Sequence, residues 1–204
     1  MHIDYGVVEY LRRDAELIVD SQAWVEERVS GEDESIEVRN GGYLLETGAG
    51  EGNSVELRLP ELLDLSRDRC DVIAVEVDIE SLTRAEGDYV LGLHSTNGQR
   101  RLEWRSDRTG PLVVTDGGTT VADAPGRHLR NFNRHVHRLE FDRRQQVLRH
   151  YVDGSRSAEI ADESVLPEEV TFGGVFTVSS VETDPTETVV RRISHLAGQR
   201  RGPE

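Results

Sequence analysis

Lysine is absent from this chain. All 24 basic residues are arginine, set against 39 aspartates and glutamates, for a formal charge of -15 over 204 residues. With no basic surplus to displace counterions from phosphates, nucleic acid is excluded as the expected partner. A lysine-free, acid-rich surface suits a salt-adapted host and follows equally from GC-rich coding. It favours solubility without specifying a fold. Cysteine occurs once, at Cys70, which rules out an intrachain disulfide and a multi-cysteine zinc site. Flanked by Asp68 and Asp71, Cys70 lacks the electropositive setting of a reactive thiolate. No apolar window reaches the length of a membrane span. Nor does a basic stretch followed by an apolar run open the chain, so the expectation is no secretory signal: cytoplasmic, or carried on a larger particle. Gly-x-Ser-x-Gly, a phosphate loop and a dinucleotide fingerprint are all missing. Gly117-Gly118 and Gly173-Gly174 read as turn or bulge devices beside strands.

What the chain does contain is alternation. From His135 to Gly154 two short runs of alternating apolar and polar residues flank Arg143-Arg144-Gln145-Gln146, which predicts a β-hairpin. Leu139 and Phe141 supply the apolar side of its first strand, and Leu148, Tyr151 and Val152 that of the second. Asp153-Gly154 marks the next tight turn. Further strands are predicted at Ile36 to Arg39, Tyr43 to Glu46, Ser54 to Leu59, Val72 to Glu80, Tyr89 to His94, Arg100 to Arg105, Leu112 to Thr115, Thr119 to Ala122, Thr171 to Ser179 and Thr188 to Ser194. Asn97-Gly98 is a strong hairpin turn. Asp4 to Val19 has helical spacing at Val7, Val8, Leu11, Ala15 and Ile18, with strand as the competing reading for its end, and Leu62 to Asp71 has room for one helical turn. A dozen short strands with almost no helix imply an all-β, two-sheet antiparallel jelly-roll sandwich. Residues 1–20 are expected to pack on it, 21–197 to form it, and 198–204 to be a flexible tail.

The run His137-Arg138-Leu139-Glu140-Phe141, followed by Tyr151-Val152-Asp153-Gly154, resembles the signature hairpin of laminin-G-like domains, in the concanavalin A-like lectin and glucanase superfamily. Val75-Glu76-Val77-Asp78-Ile79 and Tyr89-Val90-Leu91-Gly92-Leu93-His94-Ser95 resemble the two earlier strands of that pattern. The similarity extends from Gly42 to His195 and rests on spacing. It departs at Val136, where the family often has Trp. The resemblance implies carbohydrate or protein ligands. It also allows calcium at the sandwich rim, where Asp88, Asp107, Asp116, Asp123 and Asp184 are the loop acids at hand. Scattered acids in a chain this acidic need no metal to explain them.

The sharpest chemical candidate is Glu76-Val77-Asp78-Ile79-Glu80. Residues at i, i+2 and i+4 of a strand share a face, so three carboxylates line up. The spacing resembles the catalytic strand of family-16 glucanases, which implies Glu76 as nucleophile, Glu80 as acid/base and Asp78 tuning the pair. A retaining mechanism needs carboxyl groups about 5–5.5 Å apart, whereas four extended residues separate Cα atoms by about 13 Å. Trp24, Trp104 and a few tyrosines are the only platforms for sugar rings. The competing expectation is that Val75, Val77 and Ile79 face the core while the acids face water. His135 and His137 share a strand face with His150 on the partner strand, a His-x-His pattern that can hold a transition metal. The same parity also makes His137 a residue of the core edge. Trp104, alternating with Leu102, and His94 are the candidates for ligand contact. The reading overall is a non-enzymatic recognition or assembly module for carbohydrate or a protein partner. It suits a homo-oligomer or a subunit of a larger assembly such as a virion or tail.

Overall fold

The computed structural model describes residues 8–13, 25–30, 34–39, 42–58, 63–64, 71–82, 87–106, 110–126, 134–167, 171–180 and 185–200. In chain order they form β1 (Val8–Arg13), β2 (Val25–Ser30), β3 (Ser35–Arg39), β4 (Gly42–Glu46), β5 (Ser54–Arg58), β6 (Leu63–Asp64), β7 (Val72–Ser81) and β8 (Gly87–Ser95). The second half adds β9 (Arg100–Arg105), β10 (Leu112–Asp116), β11 (Thr119–Ala124), β12 (His135–Asp142), β13 (Val147–Val152), β14 (Ser155–Ile160), β15 (Thr171–Ser180) and β16 (Glu187–Arg200). These strands make two antiparallel sheets. Sheet 1 runs β14-β13-β12-β7-β16-β4-β3, with β1 also on β16, and sheet 2 runs β11-β10-β9-β8-β15-β5-β2, with β6 also on β15. No helix among the described residues is long and apolar enough to cross a membrane.

Alternation places the core. From the centre of sheet 1, Ile73, Val75, Val77 and Ile79 of β7 point inward beside Leu139 and Phe141 of β12 and Leu148 of β13. Sheet 2 answers with Leu91, Leu93, Leu102, Trp104, Leu112, Val114, Phe172 and Phe176. Phe141 and Phe172 meet edge to face across the layers, their ring centroids 5.9 Å apart. Each such side chain contributes about 1.5–3 kcal/mol when fully buried.

The turns follow their residues. Gly117-Gly118 joins β10 to β11 and Asp153-Gly154 joins β13 to β14, and both central residues of each loop have positive φ. That is the type I′ geometry whose twist matches the flanking strands. At the β12–β13 turn, Asp142 accepts from the Gln145 N–H at 2.9 Å, and Gln146 takes the left-handed conformation. Asn40 and Gly41, between β3 and β4, lie outside the described residues.

Several expectations change. Val8 to Arg13, assigned to a helix by spacing, is strand β1, paired from Val8↔Arg200 to Arg13↔His195. Backbone pairing with β16 overrides the 3.6 period. Gly198, Gln199 and Arg200 therefore belong to β16 and not to a tail. Leu63 and Asp64, placed in a helical turn, pair with β15 as β6. Strands β2 and β14 were not anticipated, because Val25–Ser30 and Ser155–Ile160 carry too few apolar residues to show alternation.

Candidate functional site

Strand β7 lies at the middle of sheet 1, and its even-numbered side chains form part of that sheet's outer face. Glu76, Asp78 and Glu80 are all there, as the spacing required, but they do not simply face water. Glu76 and Asp78 are each 5% exposed, because arginines from neighbouring strands lie over them. Arg138, opposite Glu76 on β12, donates Nε and Nη2 to Glu76 Oε2 at 2.9 and 2.6 Å. Arg192 of β16 donates Nη2 to Glu76 Oε1 at 2.6 Å. Asp78 takes a two-point fork from Arg134, Nε to Oδ1 at 2.8 Å and Nη2 to Oδ2 at 2.5 Å. Arg191 reaches Glu80 at 2.5 Å. Beyond β12, Arg149 bridges Glu140 and Glu159 at 3.5 and 2.9 Å. The planar guanidinium fork fits a carboxylate at two points, which makes this face a fixed lattice of arginine over acid.

Tyr151 belongs to the same lattice. Expected on the apolar side of its hairpin, it instead stands half-buried on the outer face, between Arg138 on β12 and Arg156 on β14. A bulge in the β13–β14 ladder between His150 and Tyr151 accompanies this placement.

The other histidine-strand candidates turn inward. His137 and His150 are 2% and 0% exposed, and Trp104, reaching across from β9 of sheet 2, is 1% exposed. Trp104 stacks on both imidazoles, with centroids at 4.4 Å from His137 and 4.5 Å from His150. His137 Nδ1 and His150 Nε2 are 3.3 Å apart, so one proton serves both. His150 Nδ1 and Trp104 Nε1 are buried without a partner. A bare lone pair costs less than a bare N–H, which favours the tautomer in which His150 Nε2–H donates to His137. Burial lowers both rings' proton affinity, to about 4 for His137, where His135 adds to the effect and Asp153 opposes it, and to about 2 for His150, where His137 adds to it. Trp104 is thus a core residue and not a sugar platform. His135 does not join the pair in a three-ligand site. Its Nδ1 lies 2.7 Å from Asp153 Oδ2 at the hairpin end, and among the described residues no three metal-ligating side chains converge.

On sheet 2 the outer face carries a smaller cluster. His94 Nε2 lies 2.8 Å from Glu103 Oε1, while Arg105 holds Glu103 Oε2 at 2.6 Å. Burial alone would raise the Glu103 carboxyl, but His94 and Arg105 outweigh it and bring the group down to about 2. Gly92 makes the arrangement possible, since a Cβ there would stand 2.8 Å from His94 Nε2. Of the rim acids, Asp116 pairs with Arg100 at 3.1 Å, Asp88 is exposed and Asp123 sits on edge strand β11. Asp107 and Asp184, like Cys70 and Trp24, lie outside the described residues.

Sequence reasoning found the three acids and missed the arginines that hold them. Arg138 was legible, sharing parity with Glu140 on β12. Arg134 precedes its strand, and Arg192 follows a register shift between Val190 and Arg192, so neither could be assigned a face from alternation.

No protein-family model and no curated protein sequence matches the chain. Solved structures do. An endo-β-1,3-glucanase from Pyrococcus furiosus superposes with a TM-score of 0.68 at 14% identity over 98% of both chains. A protein of unknown function with a galectin-like fold from Bacillus subtilis gives 0.66 at 13% identity, over 96% of this chain and 100% of that one. The carbohydrate recognition domain of Emp46p, in its metal-free form, gives 0.61 at 11% identity, over 94% and 95%. At these identities the likeness is one of fold: the chain is a jelly-roll β-sandwich of the kind shared by galectin-like and concanavalin A-like lectins and glucanases.

Proposed function

We propose that this protein is a non-catalytic carbohydrate-recognition module whose binding surface is the outer face of sheet 1, and that within the sandwich fold it stands nearest the laminin-G-like domains. One observation carries the choice of recognition over catalysis: each acid of the Glu76-Asp78-Glu80 strand is held by arginine. A general acid must be neutral when it protonates the leaving oxygen. Arg191 donates Nη2 to Glu80 Oε2 at 2.5 Å, so that oxygen already serves as a hydrogen-bond acceptor and is not presented to a leaving group. Glu76 is equally compromised as a nucleophile, since both oxygens already accept hydrogen bonds from Arg138 and Arg192. Support for a sugar ligand comes from the lectin and glucanase structures that share this fold over nearly the whole chain, in which function resides in sites grafted on a common scaffold. A subunit role on a larger particle fits the same module, with sugar binding as its contribution.

The experiment is a glycan array beside a turnover assay. Binding without release of reducing ends from any bound glycan is the expected result. Glycan cleavage abolished by Glu76→Gln would establish the second reading, a family-16-like hydrolase. That alternative is favoured by the Glu-x-Asp-x-Glu spacing on a central strand.

A further inference from the structure

We infer that the outer face of sheet 1 selects acidic oligosaccharides, sugars bearing carboxylate or sulfate groups; the inference rests on the carbohydrate reading above and names its ligand class. Charge on this face is layered by depth. Three central acids of this face lie low, the side chains of Glu76, Asp78 and Glu140 being 7%, 6% and 4% exposed, while Glu80 and Glu159 toward its margins are 30% and 32% exposed. The cations lie above them: Arg134, Arg138, Arg191 and Arg192 are 58%, 32%, 40% and 35% exposed. A ligand approaching the centre of this sheet therefore meets guanidinium edges before the carboxylates of Glu76 and Asp78, although the chain as a whole carries a formal charge of -15.

These cations are also fixed in advance. Each guanidinium has five N–H donors, and Arg134 spends two of its own on Asp78. Because the buried carboxylates already hold the long side chains, a ligand meets less of the ordering cost that loose arginines would impose. Arg192 additionally keeps its Nε buried and without a partner. Tyr151, flanked by Arg138 and Arg156 in the ladder, offers an aromatic ring on which the apolar face of a sugar can rest. From β13, which carries Tyr151, to β16, which carries Arg192, is three strand spacings, about 14–15 Å, the reach of a short oligosaccharide. Length matters, because a long polyanion would run off this shelf onto acidic surface and be repelled.

Isothermal titration calorimetry with three probes tests this: a uronic-acid oligosaccharide, its carboxyl-reduced neutral counterpart, and a sulfated oligosaccharide. We expect an anionic probe to bind at least about tenfold more tightly than the neutral one, the worth of a single charge-assisted hydrogen bond, and to weaken as NaCl is raised from 50 to 500 mM. Whichever anion binds, uronate or sulfate, identifies the group. Arg134→Gln, at the most exposed of the four arginines, should lower anion affinity with the circular dichroism spectrum unchanged. Tyr151→Ala should weaken the neutral and anionic probes alike. Equal affinity for the uronate and its neutral counterpart, without sulfate binding, overturns the ligand class and leaves the carbohydrate reading standing. Anion binding unaltered in Arg134→Gln and Tyr151→Ala overturns the placement. No binding by any probe or by the glycan array removes both the inference and the reading beneath it.

Discussion

His150 has lost contact with solvent entirely, and its one proton-sharing partner is another buried imidazole. The consequence is a defined response to acid. Both rings have proton affinities depressed from 6.5, to about 4 at His137 and about 2 at His150, because burial opposes the charged form. Below pH 6.5 the unfolded chain binds protons on these rings that the folded chain refuses. Stability is therefore unaffected by them above that pH and falls as pH drops through the window, by up to about 1.4 kcal/mol per pH unit for each ring. Urea unfolding at pH 7, 5.5 and 4.5 measures the slope, and His150→Leu should remove about half of the histidine contribution. Glu103 acts in the same direction at lower pH. Its carboxyl is held down at about 2 against an ordinary 4.5, so its stabilisation is complete above 4.5 and is lost as pH falls toward 2.

At the level of elements, β7 is buried on both faces; beyond Val72 and Ala74 its outer face is acidic, and there arginine makes the burial of Glu76 and Asp78 possible. Removing one partner of such a lattice leaves charge uncompensated. Glu76→Ala strands Arg138 and Arg192 together, and we expect a loss of about 2–3 kcal/mol, below the fully buried range because both arginines are about a third exposed. Denaturant midpoints at constant m value check it. A second expectation concerns the end of the β10–β11 hairpin. A Cβ on Gly126 would come within 2.1 Å of the Gly110 carbonyl oxygen, so Gly126→Ala must part the two backbone segments there. It should cost more than about 1 kcal/mol, the scale of a strained backbone position. The hairpins were legible because turn residues and period-2 alternation are local. The lattice was not, since its bonds join residues 56, 62 and 116 apart in sequence and depend on which strands become neighbours. Strand β14 escaped notice for a related reason, with only Ala158 and Ile160 pointing inward along it.

For the whole molecule, the two-sheet architecture was readable from strand spacing, while its N-terminal strand was not: helical spacing in Val8–Arg13 gave way to pairing with a strand nearly two hundred residues away. The formal charge of -15 opposes compactness through self-repulsion. Salt screens exposed charges more than buried pairs, so the arginine lattice should survive conditions that relieve the repulsion. Raising NaCl from 50 mM to 1 M should lift the thermal midpoint by about 2–4 °C, corresponding to roughly 1 kcal/mol in a chain of this size. Differential scanning calorimetry would record a fall instead if exposed ion pairs dominated.

The stacking of Trp104 on His137 and His150 across the two layers also gives the molecule an optical signature. A protonated imidazole quenches an excited indole far better than a neutral one. The emission of Trp104 should therefore stay constant as acid is added until the sandwich admits a proton, then change together with layer separation. With Trp24→Phe leaving a single indole, ultraviolet light alone would report when the interior of the barrier between the sheets is breached.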